Sequence, residues 1–357
     1  MRTVHVGDEV GRHGGGARPC QGCQRLLRAL GIRSSSLGEA GARVDLRSRL
    51  GGVAWDRLEH AYDDRAVDLP ALLCAIGGAE RPEDIVRMLR ARLVHQGAVV
   101  YSATVEALPI LVDMVVEGGC PARPAIVGLI GDLAREAARV GPEQETKVRW
   151  SRMWRRKLPL MADLLRDGDV EVRRVASSPL ASAEFDQDRY LERLLGVCAA
   201  EPDGPARLAQ LVAVADLLSA VSAAVRDAAV GRVAEIVSGG SPQLRMAGAF
   251  VLRQVGPVGV DVFLDALGAP DVEQWRLTWC VPGRRQSIVY WVDQRLEADL
   301  GLRLGLGKGL GASADAATRT AAFTVLLRVA SRWRAPMADV AAAGLRALDD
   351  PVAAISG

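Results

Sequence analysis

The sequence predicts an all-α protein, an α-α superhelix in which helix pairs stack on one another behind a disordered N-terminal segment. Three observations carry this expectation. One unit recurs along the chain: an apolar run at helical spacing, a small turn of Gly, Asp, Pro or Ser, and a second helical run opening on Val, Leu or Ala, often with an Arg. Its clearest copy, LMADLLRDGDVEVRRVA, runs from Leu160 to Ala176. A helix pair of this kind cannot bury its apolar face alone, so copies must stack into a solenoid. Composition agrees: 49% of residues are hydrophobic but only 4% aromatic, so the core is Ala, Leu and Val, side chains that pack short helices closely. At 357 residues the chain also exceeds the size at which one compact core keeps growing, and the repeat favours one elongated array over two domains.

Taken in order, residues 1–50 are rich in Gly, Arg and Ser, with GRHGGGARP and IRSSSLGEAGAR flanking one short helical stretch from Cys20 to Leu30; this composition predicts disorder. Residues 51–357 form the expected array, whose apolar periodicity starts at Trp55. Its turns are seen in ALLCAIGGAERPEDIVRML, DMVVEGGCPARPAIVGLI, DLLRDGDVEVRRVA, GVCAAEPDGPARLAQLV, EIVSGGSPQLRMAGA, FLDALGAPDVEQWRL, LGKGLGASADAATRTAAF and LRALDDPVAAISG. They fall near residues 78, 119, 168, 203, 240, 269, 313 and 349, a spacing of roughly 30 to 50 residues, the range of two-helix repeats. Gly ends the first helix by accepting the left-handed conformation, and Asp, Ser or Pro starts the second by capping it or presetting its first turn. The last copy reaches Asp350-Pro351, so the last repeat is expected to be incomplete.

Turns followed by Val or Leu and Arg resemble those of the HEAT-repeat family of armadillo-like α-solenoids, including the bacterial branch called phycobilisome-lyase HEAT-like repeats. The resemblance covers about 55–357; WDRLEHAYDD at 55–64 and LVHQGAVVYSATVEALPILVDMV at 93–115 resemble the opening of a group of uncharacterised actinobacterial HEAT-repeat proteins. It implies an α-solenoid used for protein contacts, sometimes as a scaffold, sometimes to neutralise a partner. A distinct HEAT-like branch excises alkylated bases from DNA, which implies an enzymatic alternative.

With 45 basic against 43 acidic residues the formal net charge is +2, so no whole-molecule field draws nucleic acid or anionic membrane, and any such contact must be local. The opening MRTVHVGDEVGRHGGG has no apolar signal core, and no run of about 18 uncharged apolar residues follows; a cytoplasmic protein without a membrane partner is expected. Four of the six cysteines stand singly among apolar residues, which argues against a disulfide framework. Cys20 and Cys23 form a CxxC preceded by His5 and His13, but the order, the Gly-rich spacing and the lack of a second CxxC weigh against zinc. In GLRLGLGKGLGAS (301–313), Gly307-Lys308 is followed by Gly309 rather than Ser or Thr, and Leu310 breaks GxGxxG, so a flexible turn is expected and not a phosphate loop. No cofactor and no metal are expected.

Three constellations remain as candidate sites. KVRWSRMWRRK, Lys147 to Lys157, holds six basic residues and no acid. On a helix, Trp150, Met153 and Trp154 share one face and Arg149, Arg152 and Arg156 the opposite one, with Arg155 beside them. Like charges at i,i+3 and i,i+4 repel by about 0.2 to 0.5 kcal/mol per pair, so the arginines either meet an anionic partner or pair with acids of neighbouring repeats, such as Asp163 or Asp167. A second cluster, EQWRLTWCVPGRRQSIVYWV, sets Trp275, Trp279 and Trp291 beside Arg284 and Arg285, flat groups that either stack on a base or peptide or fill a wide gap in the core. The third is polar and N-terminal: His60 and Tyr62, then His95, Gln96 and Tyr101, forming either a pocket or a set of helix caps and backbone partners at a repeat junction.

No nucleophile motif accompanies the few histidines, and the paired aspartates sit in turns, where Asp is favoured anyway. The expectation is a non-enzymatic interaction scaffold that binds a protein partner, an acidic one, through Arg149, Arg152, Arg155 and Arg156. The alternative is nucleic-acid binding, with alkylated-base excision at Trp275, Trp279 and Asp271 or Glu273 as its enzymatic form; near-neutral charge argues against a duplex-DNA enzyme. A phycobilin-type lyase rests on the repeat name alone.

Overall fold

The structure, a computed structural model, describes residues 40–253 except 63–64 and 95–98. The turns expected at 269, 313 and 349, and with them the last repeat, lie outside the described residues. Among the described residues there are eleven α-helices and no strand, only an isolated antiparallel bridge between Glu59 and Arg65. The helices are α1 (Ala40–Gly51), α2 (Leu69–Ala75), α3 (Pro82–Leu93), α4 (Ser102–Val116), α5 (Arg123–Ala138), α6 (Glu145–Asp163), α7 (Val170–Leu180), α8 (Gln187–Ala200), α9 (Gly204–Leu218), α10 (Ala223–Val237) and α11 (Pro242–Arg253). α1 starts upstream of residue 51, inside the stretch whose composition predicts disorder. Its Leu46 and Leu50 pack on the core, and the Trp55 indole donates to the Leu50 carbonyl at 2.9 Å.

The turn chemistry follows the sequence at some turns and not at others: Gly77, Gly78 and Gly168 do not take the left-handed conformation expected of them. Pro70, Pro82, Pro124 and Pro205 sit in the first turns of α2, α3, α5 and α9, where a missing N–H costs nothing. Asp169 caps α7 by accepting from Glu171 N, and Asp203 caps α9 by accepting from Ala206 N. Gly118, Gly119 and Gly239, which follow α4 and α10, take φ of 75°, 72° and 70°.

Neighbours in sequence pair off: α2 packs on α3, α4 on α5, α6 on α7, α8 on α9 and α10 on α11. Second members also pack on one another in order, α3, α5, α7, α9, α11. First members also meet, α4 on α6 and α8 on α10, while α8 reaches the end of α6 through the 3-10 turn Leu164–Arg166 and the Arg193–Asp163 pair. In the pairs α6–α7 and α8–α9 the second member is the more deeply buried; every residue of α9 from Leu208 to Ala215 is buried, as is every residue of α5 from Ile126 to Ala134.

The recurring Arg after each turn has a definite task. Arg123 donates to the Val115 carbonyl (2.9 Å), Arg173 to Asp167 (3.0 Å), Arg207 to Glu201 (2.9 Å) and Arg245 to Gly240 (2.7 Å), each satisfying a carbonyl at the end of the preceding helix or in the turn. Two of the four also reach the acid of the following turn: Arg123 pairs with Asp167, 44 residues on, and Arg173 with Glu201, 28 residues on. Arg174 adds a two-pronged bond to Asp203 (2.9 and 3.0 Å). The turns near 119 and 168 are therefore tied to themselves and to the next turn.

Candidate functional site

α6 is the longest described helix, and its 3.6-residue period sorts its side chains as the sequence predicts. Trp150 and Trp154 are wholly buried and stacked, ring centroids 5.7 Å apart and planes at 29°. Arg149, Arg152, Arg155 and Arg156 are exposed.

Most of the charge of this helix is used within the molecule. Lys147 is buried, donates to the Ala137 carbonyl at 2.7 Å and pairs with Glu184. Lys157 donates to Asp113 at 2.6 Å, and Arg149 pairs with Glu106. Arg155 lays its guanidinium over Phe185, 4.9 Å from the ring centroid. Arg152 and Arg156 have no ion pair among the described residues. Asp163 and Asp167, the acids that the sequence suggests as partners, are engaged elsewhere, Asp163 by Arg193 of α8 and Asp167 by Arg123 of α5. The acids that do serve α6 come mainly from α4, the helix packed beside it, a neighbour 43 or 44 residues away.

At the N-terminal cluster, His60 is 4% exposed and Tyr62 60%. The Tyr62 N–H donates to His60 Nδ1 at 3.2 Å, and His60 Nε2 lies 3.7 Å from Asp68 Oδ1. Asp68 accepts from Arg92, whose carbonyl accepts from Ala61 N at 2.8 Å. Ser102 Oγ accepts from Glu59 N, Thr104 Oγ1 donates to the Leu93 carbonyl, and the Tyr101 carbonyl accepts the Thr104 N–H at 3.1 Å. These hydrogen bonds tie together the junction of α2, α3 and α4. His95 and Gln96 lie outside the described residues, as do Trp275, Trp279, Arg284, Arg285 and Trp291.

One polar line escapes notice in the sequence. Asp132 of α5, 2% exposed, pairs with Arg90 of α3 and with Arg135 at 2.8 Å, and Arg135 reaches Ser178 of α7 at 3.3 Å. Burial pushes the Asp132 carboxyl above the ordinary carboxylate range although both arginines pull it down. The only signal was a charged residue in the otherwise apolar AIVGLIGDLA run. Burial likewise raises the thiols of Cys74 and Cys120 and pushes Cys198 up to about 12, so these thiols stay protonated at neutral pH.

Among the described residues no group of three or more His, Cys, Asp or Glu is placed to hold a metal ion, and no helix is long and apolar enough to cross a membrane. Compared with protein-family models, with curated proteins and with solved structures, this chain matches none.

Proposed function

We propose that this chain is a HEAT-like α-solenoid that works as a non-catalytic interaction scaffold, with α6 presenting Arg152 and Arg156 to an acidic protein partner. The solenoid reading is supported by the alternation of helices between two packed sets and by turns linked through partners 28 to 44 residues apart, close to the spacing of the turns themselves. One observation carries the partner: on a helix whose other bases all have an acid or an aromatic ring of their own, Arg152 and Arg156 remain exposed and without an ion pair among the described residues.

Nucleic acid is served less well by the same face. Two arginines neutralise two phosphates, for which the affinity would fall with a log–log salt slope of only about −1.8 and binding at physiological salt would be weak.

The test is charge reversal. The double variant Arg152→Glu/Arg156→Glu should fold normally by circular dichroism and lose a protein captured by the wild-type chain from its native cell. Retention of every captured protein overturns the proposal, as does a duplex-DNA shift by the wild type that the variant lacks.

A further inference from the structure

We infer that α6 reads a short acidic peptide segment in which one apolar side chain and two carboxylates lie in line, the apolar group meeting Val148 and the carboxylates Arg152 and Arg156. This rests on the acidic-partner reading and narrows it to a pattern.

Val148, Arg152 and Arg156 stand four residues apart on one helix, each interval advancing about 6 Å along its axis. All three are exposed; Val148 is 50% so, one of four exposed large hydrophobic residues among those described. An exposed valine at the head of a two-arginine row gives a partner something to bury that charge alone does not supply. Arg155 stands between them in sequence with its guanidinium fixed on Phe185, so part of this basic face is already ordered before a partner arrives.

The row is bounded by acid. Glu145 stands seven residues before Arg152 and Asp163 seven residues after Arg156, both exposed and on the same helix. The stretch of α6 that is positive without an ion pair among the described residues is therefore two arginines long, which suits a pair of carboxylates, and Glu145 repels a polyanion that continues past it, whereas Asp163 is already paired with Arg193. A phosphate backbone also has no apolar group for Val148. A partner helix offers the required line at i, i+4 and i+8, with the same rise of about 6 Å per interval.

The experiment uses the full chain and a labelled helical peptide carrying Leu, Glu and Glu four residues apart, a companion peptide with Ser for Leu, and a labelled single-stranded oligonucleotide, followed by anisotropy at low salt. The parent peptide should bind, and Arg152→Gln/Arg156→Gln should weaken it about tenfold through loss of two charge-assisted contacts. Replacing Leu by Ser should cost about threefold with the wild type and nothing with Val148→Lys, the expected worth of a half-exposed valine. Val148→Lys should itself weaken the parent peptide although it adds a positive charge. If Val148→Lys instead tightens peptide binding, the pattern is overturned and the acidic-partner reading stands. Oligonucleotide binding abolished by the double variant, with no peptide binding, overturns both. Failure of the parent peptide to bind at low salt, with the oligonucleotide also unbound, overturns the pattern, and the capture experiment then decides the broader reading.

Discussion

A Cβ built on Gly131 of α5 would lie 2.3 Å from Ser178 Oγ and 2.9 Å from Ser178 Cβ on α7. The two helices meet there because one of them lacks a side chain. Glycine inside a helix costs about 0.5 to 1 kcal/mol relative to alanine, so Gly131→Ala would stabilise an isolated α5. Here overpacking of about 1 to 3 kcal/mol opposes that gain, because Pro179 N at 3.3 Å is backbone and cannot swing aside. Gly131→Ala should lower urea-unfolding stability by about 1 to 2 kcal/mol. Adding Ser178→Gly should recover part of the loss, since it removes both of the nearest atoms, and additive losses in the double variant would show that the two residues do not touch.

That contact illustrates what could be read from the chain and what could not. The turns near 78, 119, 168, 203 and 240 fall between the paired helices α2 and α3, α4 and α5, α6 and α7, α8 and α9, α10 and α11. They were legible because Gly, Asp and Pro act within a few residues of where they stand. The sorting of Trp150 and Trp154 inward and the arginines outward was legible for the same reason, being a matter of helical period. Pairing between repeats was not. Arg149 meets Glu106 and Lys157 meets Asp113 from 43 and 44 residues away, and nothing in either local sequence names the other. α1 went unseen because Val44, Leu46 and Leu50 are too few to set a period amid Arg, Ser and Gly.

Asp203 joins two jobs that a substitution can separate. As the cap of α9 it accepts from Ala206 N at 2.9 Å, and it accepts both prongs of Arg174. The Arg174 hydrogen bond, helped by the Ala206 N–H and by the charges of Arg174 and Arg173 and opposed by burial, holds its carboxyl below the ordinary range. A depressed folded-state pKa gives stability that is present above the unfolded value, about 3.9, and lost as pH falls through the folded value. Asp203→Asn keeps a capping oxygen and removes the charge. The wild type should therefore lose more stability than Asp203→Asn between about pH 5 and pH 2, measured by urea midpoints across that window. Asp132 contributes in the opposite sense: its raised carboxyl gives stability present below the unfolded value and lost as pH rises through the folded one. Equal acid limbs in wild type and Asp203→Asn would show that the Arg174 contact carries no differential charge stabilisation.

Gln210 of α9 is 0% exposed, and among the described residues neither its Nε2 nor its Oε1 has a hydrogen-bond partner. An amide loses its water on folding, and burying it unpaired costs about 1 to 3 kcal/mol on mutational scales. Methionine has nearly the same length and volume and no polar atom to desolvate. Gln210→Met should thus stabilise the chain by about 1 to 2 kcal/mol, a rise in Tm of about 2 to 4 °C for each kcal/mol in a chain above 150 residues. Gln210→Ala separates the two contributions, because it also removes the amide but leaves a cavity, and its gain and loss should nearly cancel. A fall in Tm for Gln210→Met in a thermal melt would mean that the amide is hydrogen-bonded in solution, since only a satisfied group is costly to replace with an apolar one of the same shape.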